Sequence, residues 1–75
     1  MNLQSRLDRL RKSWELARQD YERMSAQMAE LLRKDPDNVV ELAMMRPMVE
    51  AAHKRMLETE MRLRTAAGGV RHRPD

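Results

Sequence analysis

From Leu3 to Leu31 an apolar or aromatic side chain recurs alternately every four and every three residues: Leu3, Leu7, Leu10, Trp14, Ala17, Tyr21, Met24, Met28 and Leu31. Sustained over about four heptads, that interval is the seam of a coiled coil. A strand would alternate at period two, and this segment does not. The pattern therefore commits the N-terminal half to one long amphipathic helix, about residues 2–34, that must lay its stripe against another helix. Trp14 and Tyr21 flank the small Ala17, which leaves room for large rings beside a close helix approach.

The sequence Lys34-Asp35-Pro36-Asp37-Asn38 interrupts the stripe. Pro36 disfavours helical geometry at Asp35 and lacks a backbone donor. Two starts for a second helix are open: Asp35 as cap with Pro36 at the first helical position, or Asn38 as cap with Glu41 three residues on. Either leaves a turn at about residues 35–38, short enough to make the two helices antiparallel neighbours. Beyond it, Leu42, Met45, Val49, Ala52, Met56, Thr59, Leu63 and Ala66 restore the alternation, predicting a helix over about 38–67. Pro47 falls inside it and is expected to bend it, removing the hydrogen bond to the Ala43 carbonyl. Gly68-Gly69 is the expected stop. Residues 70–75 are expected to form a flexible basic tail.

The fold class is thus all-α, with residues 1–69 as one antiparallel two-helix hairpin with coiled-coil-like packing. Its seam is expected at Leu7, Leu10, Trp14, Tyr21, Met24 and Met28, facing Leu42, Met45, Val49, Met56 and Leu63. Composition agrees: two Gly, three Pro, eight Met and no Phe favour helix over strand. Charged residues make up 36% of the chain, yet the net charge is only +3, so the charges are mixed as on a solvated helix surface. Acid-before-base pairs four residues apart, Asp8/Lys12, Glu30/Lys34, Glu50/Lys54, Glu58/Arg62 and Glu60/Arg64, are expected to support the exposed faces.

A chain of 75 residues is one small domain that buries only about 60% of its unfolded surface. Disulfides, a metal or a partner usually supply the missing stability. Without cysteine, disulfides and thiolate metal sites are excluded, which leaves a partner as the expectation. The most apolar run, from Val39 to Met45, is too short and too charged to span a bilayer. The start of the chain, Met1-Asn2-Leu3-Gln4-Ser5-Arg6, lacks the apolar core of a secretory signal. A cytoplasmic protein is the expectation.

The second helix carries more apolar surface than one seam uses. Val40, Met44, Met48 and Ala51 form a stripe beside the seam, with Leu57 and Met61 expected on its other side. A two-helix hairpin has no third layer to cover them. Val40, Met44, Met48, Leu57 and Met61 are therefore the expected contact face for another protein chain or a second copy. Methionine suits such a face because its flexible thioether adapts to irregular partners.

Two other constellations carry chemistry in principle. Arg6, Arg9, Arg11 and Lys12 open the first helix while Arg62 and Arg64 close the second, and a hairpin brings them to one end. Phosphates or acidic proteins would suit such an end, but stacking aromatics and a groove-reading motif are missing, so nucleic acid is not the expected partner. Glu50-Ala51-Ala52-His53 has the spacing of di-iron carboxylate bundles, with Glu22 roughly across from it. There the seam residues Tyr21, Val49 and Ala52 occupy the interior, so the expected reading is a Glu50–Lys54 pair and a solvent-facing His53, with no metal and no cofactor. No hydrolytic triad or glycine-rich phosphate loop is present, and no enzymatic activity is expected.

Leu32-Arg33-Lys34-Asp35-Pro36-Asp37-Asn38 resembles a tetratricopeptide linker, but the proline arrives too early, and Arg18 and Glu30 stand where small residues are needed. A long polar helix, a Pro/Asp/Asn turn, then Leu42-Ala43-Met44-Met45 and Val49-Glu50-Ala51-Ala52 is similar to the small α-hairpin proteins of bacterial type III secretion, the needle subunits and needle cochaperones. That resemblance implies action by helix packing alone. The end Gly68-Gly69-Val70-Arg71-His72-Arg73 departs from the apolar packing end of a needle subunit, which favours the cochaperone type.

Overall fold

The computed structural model describes residues 3–70. They form two helices, α1 (Leu3–Lys34) and α2 (Val39–Val70), packed side by side as a helical hairpin. Each 32-residue helix is about 48 Å long at 1.5 Å per residue, and the chain measures 54 × 27 × 16 Å. Its radius of gyration is 17.0 Å, against about 11 Å for a compact chain of this length. The molecule is a rod one helix thick.

The turn resolves the choice between the two caps. The Asp35 amide still donates to the Leu31 carbonyl (2.8 Å), ending α1, and the Asn38 amide donates to Asp35 (3.1 Å). Asn38 then caps α2: its Oδ1 accepts from the Glu41 amide at 3.2 Å, while its Nδ2 donates to Glu41 Oε1 at 3.1 Å. The Leu42 amide makes the first helical bond, to the Asn38 carbonyl (3.1 Å). Pro36 is left inside the turn and opens no helix. Replacing Asn38 by Ala is expected to lower stability by about 1 kcal/mol, the usual effect of losing such a cap, measured as a lower urea midpoint at unchanged slope.

Small residues mark where the helices come closest. Ala17, Ala52 and Thr59 are the buried residues of the hairpin, at 6%, 4% and 7% exposure, and no large side chain is fully buried. The Thr59 hydroxyl is satisfied within its own helix by the carbonyls of Arg55 (3.0 Å) and Met56 (2.9 Å). Every larger residue expected on the seam, from Leu7 through Met28 and from Leu42 through Leu63, is half-buried. Two rods touch along one line only, so each large side chain has a partner on one flank and solvent on the other.

Three expectations need correction. The glycines do not stop α2, which runs through them to Val70. Gly68 is helical with open space around the position of a Cβ, because glycine permits a left-handed stop without imposing one. Val70 therefore belongs to α2 and not to a tail, and residues 71–75 lie outside the described residues. Among the exposed pairs, Glu30–Lys34 (3.3 Å) and Glu60–Arg64 (2.9 Å) form. Among the described residues no ion pair joins Asp8 to Lys12, Glu50 to Lys54 or Glu58 to Arg62. Glu30 instead also takes Arg33 (2.6 Å), Asp20 takes Arg23 (2.6 Å) and Arg18 takes Glu22 (3.0 Å). Pairs this exposed gain little from any one partner. Pro47 does not divide α2; it and Ala43 are both exposed, so the freed carbonyl faces solvent.

Candidate functional site

The side of α2 turned away from α1 carries large apolar residues near its start and near its end. Val40 is 69% exposed, Met44 65%, Met48 55%, Leu57 47% and Met61 65%. Val39 is also exposed, at 68%, but it lines a hollow with the seam residue Leu42 together with Ala43 and Arg46, so it borders the seam and not the outer side. Val40 and Met61 lie three heptads apart, hence on one line of a supercoiled helix, while Met48 and Leu57, nine residues apart, fall on opposite flanks of that line.

Along that line Val40, Met44, Pro47, Ala51, Lys54, Glu58 and Met61 alternate by four and three, all of them exposed. These are the outward positions of the helix, and Lys54 and Glu58 set charge among their apolar members. In the C-terminal half of α2 lies a shallow hollow lined by Lys54, Leu57, Glu58, Met61 and Arg62. Lys54, Leu57, Glu58 and Met61 stand at i, i+3, i+4 and i+7, the four corners of a coiled-coil hole that receives one side chain from a facing helix.

α1 offers no equivalent. Its exposed large apolar residues, Leu3, Leu16 and Leu32, are far apart along the helix, as on any surface. One flank of α1 is instead tied down locally. The Arg18 guanidinium carbon lies 5.3 Å from the centre of the Trp14 ring and the same group reaches Glu22. Trp14 Nε1 and Arg18 Nε are buried and reach no acceptor among the described residues.

The open end of the rod gathers the basic residues as expected. Arg6 and Arg62 line one hollow together with Leu10, Met61, Thr65 and Ala66. Arg64 is engaged by Glu60. The aromatic rings stay on the seam, away from this end.

Glu22 and His53, two members of the Glu-x-x-His constellation, each meet a neighbour. His53 does not simply face solvent: its ring packs on Tyr21, with centroids 4.9 Å apart and planes at 35°. Glu22 is held by Arg18. Among the described residues no three His, Asp or Glu side chains converge on one point.

The fold and this face define a class, a two-helix α-hairpin with one helix left open on its outer side. Comparison with protein-family models, with curated proteins and with solved structures finds no match to this chain. No described helix is long and apolar enough to cross a membrane.

Proposed function

We propose that this chain is a non-enzymatic protein–protein interaction module, a small helical chaperone, adaptor or assembly subunit that acts in the cytoplasm by helix packing. The observation that carries this reading is the outward side of α2, where Val40, Met44, Met48, Leu57 and Met61 are each at least 47% exposed in two apolar groups, Val40, Met44 and Met48 near its start and Leu57 and Met61 near its end. Large apolar side chains gathered on one helix and left uncovered by the other favour an interface over ordinary surface scatter. Its methionines let the surface fit a partner of irregular shape. The resemblance of the turn and of the start of α2 to type III secretion hairpins makes a cochaperone the specific form of the proposal.

The methionines themselves supply the test. Met44, Met48 and Met61 are exposed, whereas Met24, Met28, Met45 and Met56 are half-buried in the seam. Mild peroxide converts accessible methionine to its sulfoxide. In the dilute purified chain the first group is expected to oxidise first. In cells that express the protein, the same three are expected to be protected. Equal oxidation of Met44, Met48 and Met61 in both settings overturns the reading.

A further inference from the structure

We infer that the Leu57–Met61 end of this surface takes an acidic amphipathic segment of a partner protein, its apolar side chains in a trough at the open half of the rod and its carboxylates on the cations around it. The inference rests on the interaction reading above and names the chemistry of the partner. Two hollows meet to form the trough. The one that holds Leu57, on the outward side of α2, and the one that holds Leu10, between the helices, share Met61 and Arg62. Their joint apolar lining is Leu10, Leu57, Met61 and Ala66, while Arg6, Lys54 and Arg62 supply cations. Glu58 is the one acid among the lining residues.

Charge sets this trough apart from the rest of the rod. Arg6, Lys54 and Arg62 enter no ion pair among the described residues. The hollow at the start of α2 holds a single cation, Arg46. In the groove beside Ala17, Arg23 is already tied to Asp20. The wider distribution of charge divides the same way. The open half of the hairpin, residues 3–18 and 55–70, holds eight Arg or Lys against four Asp or Glu, a formal +4. The turn half, residues 19–54, holds five against seven, a formal −2. Half a rod is about 24 Å long, about three Debye lengths at physiological salt, so each end attracts by its own charge. Leu57 and Met61 lie in the positive field, Val40, Met44 and Met48 in the negative one. The stretch of partner that reaches Met44 and Met48 is accordingly not the acidic one.

Shape and side-chain chemistry decide against the other anionic partners. The trough bends from the outward side of α2 into the groove beside Arg6 and Leu10 of α1. That path suits a segment of polypeptide and not the flat surface of a bilayer, which an apolar face must meet along its length. A nucleic-acid strand stacks its bases on aromatic rings, and Trp14 and Tyr21 lie on the seam, away from the trough.

The probe is a labelled synthetic peptide with Leu at i, i+3, i+4 and i+7 and Glu on the flanks of that stripe; the same peptide with Lys for every Glu is its control. In fluorescence-anisotropy titrations the Glu peptide is expected to bind and the Lys peptide to stay free. Binding is expected to weaken as salt is raised. Arg62→Glu is expected to weaken it about tenfold, since a rim attraction is replaced by a repulsion. Leu57→Ala with Met61→Ala is expected to weaken it by about tenfold or more, since the apolar floor is lost. Arg46→Glu, in the turn half, leaves it unchanged. All four positions are exposed, and circular dichroism checks that each variant keeps its helices. Equal binding of both peptides, or Glu-peptide binding indifferent to Arg62→Glu, overturns the inference. Tighter binding to phosphatidylserine-containing vesicles or to oligouridylate, lost on Arg62→Glu, assigns the trough to lipid or to nucleic acid and also overturns it. If the Glu peptide fails to bind while Met44, Met48 and Met61 are protected in cells, the inference falls, the interaction reading survives and the partner has a different chemistry.

Discussion

A chain with lysine at positions 44 and 48 is expected to lose its association with any partner while keeping its helix content. Fully burying a methionine side chain contributes about 1.5–3 kcal/mol, and Met44 and Met48 have somewhat more than half of that left to gain, so removing both from an interface forfeits about 3 kcal/mol. The loss is therefore more than about a hundredfold in affinity, before the desolvation of two ammonium groups is counted. The hairpin itself loses little. Both residues are more than half exposed, Met44 at 65% and Met48 at 55%, and lysine is nearly as good a helix former as methionine. The measurements are pull-down or light scattering for association and far-ultraviolet circular dichroism for helicity. Unchanged association in Met44→Lys/Met48→Lys would assign the partner to another face; lost helicity would mean that the stripe is part of the hairpin core.

The second large effect is on the seam. Trp14→Ala is expected to destabilise the hairpin by about 3 kcal/mol, the range for removing a large aromatic from a core. Three buried residues, all small, form the interior, so the half-buried rings supply much of the apolar contact. A domain this small has a few kcal/mol of stability at most, and the variant should show no cooperative thermal transition. Two companions separate packing from chemistry. Trp14→Phe is expected to lose only about 1 kcal/mol, because the indole Nε1 has no acceptor to forfeit among the described residues. Leu16→Ala, two residues away but 59% exposed, should stay within about 0.5 kcal/mol of the parent. If Leu16→Ala were as damaging as Trp14→Ala, the seam would be wrongly placed.

The seam was legible in the sequence because it is a repeated signal: each of its members states the same period, and an error at one position leaves the phase intact. The exposure of Val40, Met44, Met48, Leu57 and Met61 was legible for a related reason, since one seam covers only one side of α2 and these residues fall outside it. Single-residue features read less well. Gly68-Gly69 looked like a stop, but a glycine only lowers the barrier to one, and the helix passes through. Three of five expected acid–base pairs are absent among the described residues, since an exposed acid gains little from any one partner; Asp8, for one, accepts from Gln4 instead. Tyr21 and His53 sit on different helices, so their stacking depends on how the rods are rotated about their axes, which no single-helix pattern encodes. Leu16 and Leu32 were missed as exposed apolar residues because each breaks no period and stands alone.

The short connection capped by Asn38 has a consequence for how the rod comes together. Contacts next to the turn close only a few residues of chain, whereas those joining Arg6 to Arg62 close more than fifty, and loop entropy grows with that separation. Pairing should start beside the turn and advance toward the termini like a fastener drawn from one end. Met44 and Met48 sit near the end that closes first and reopens last, and the basic cluster sits where the rod parts most readily.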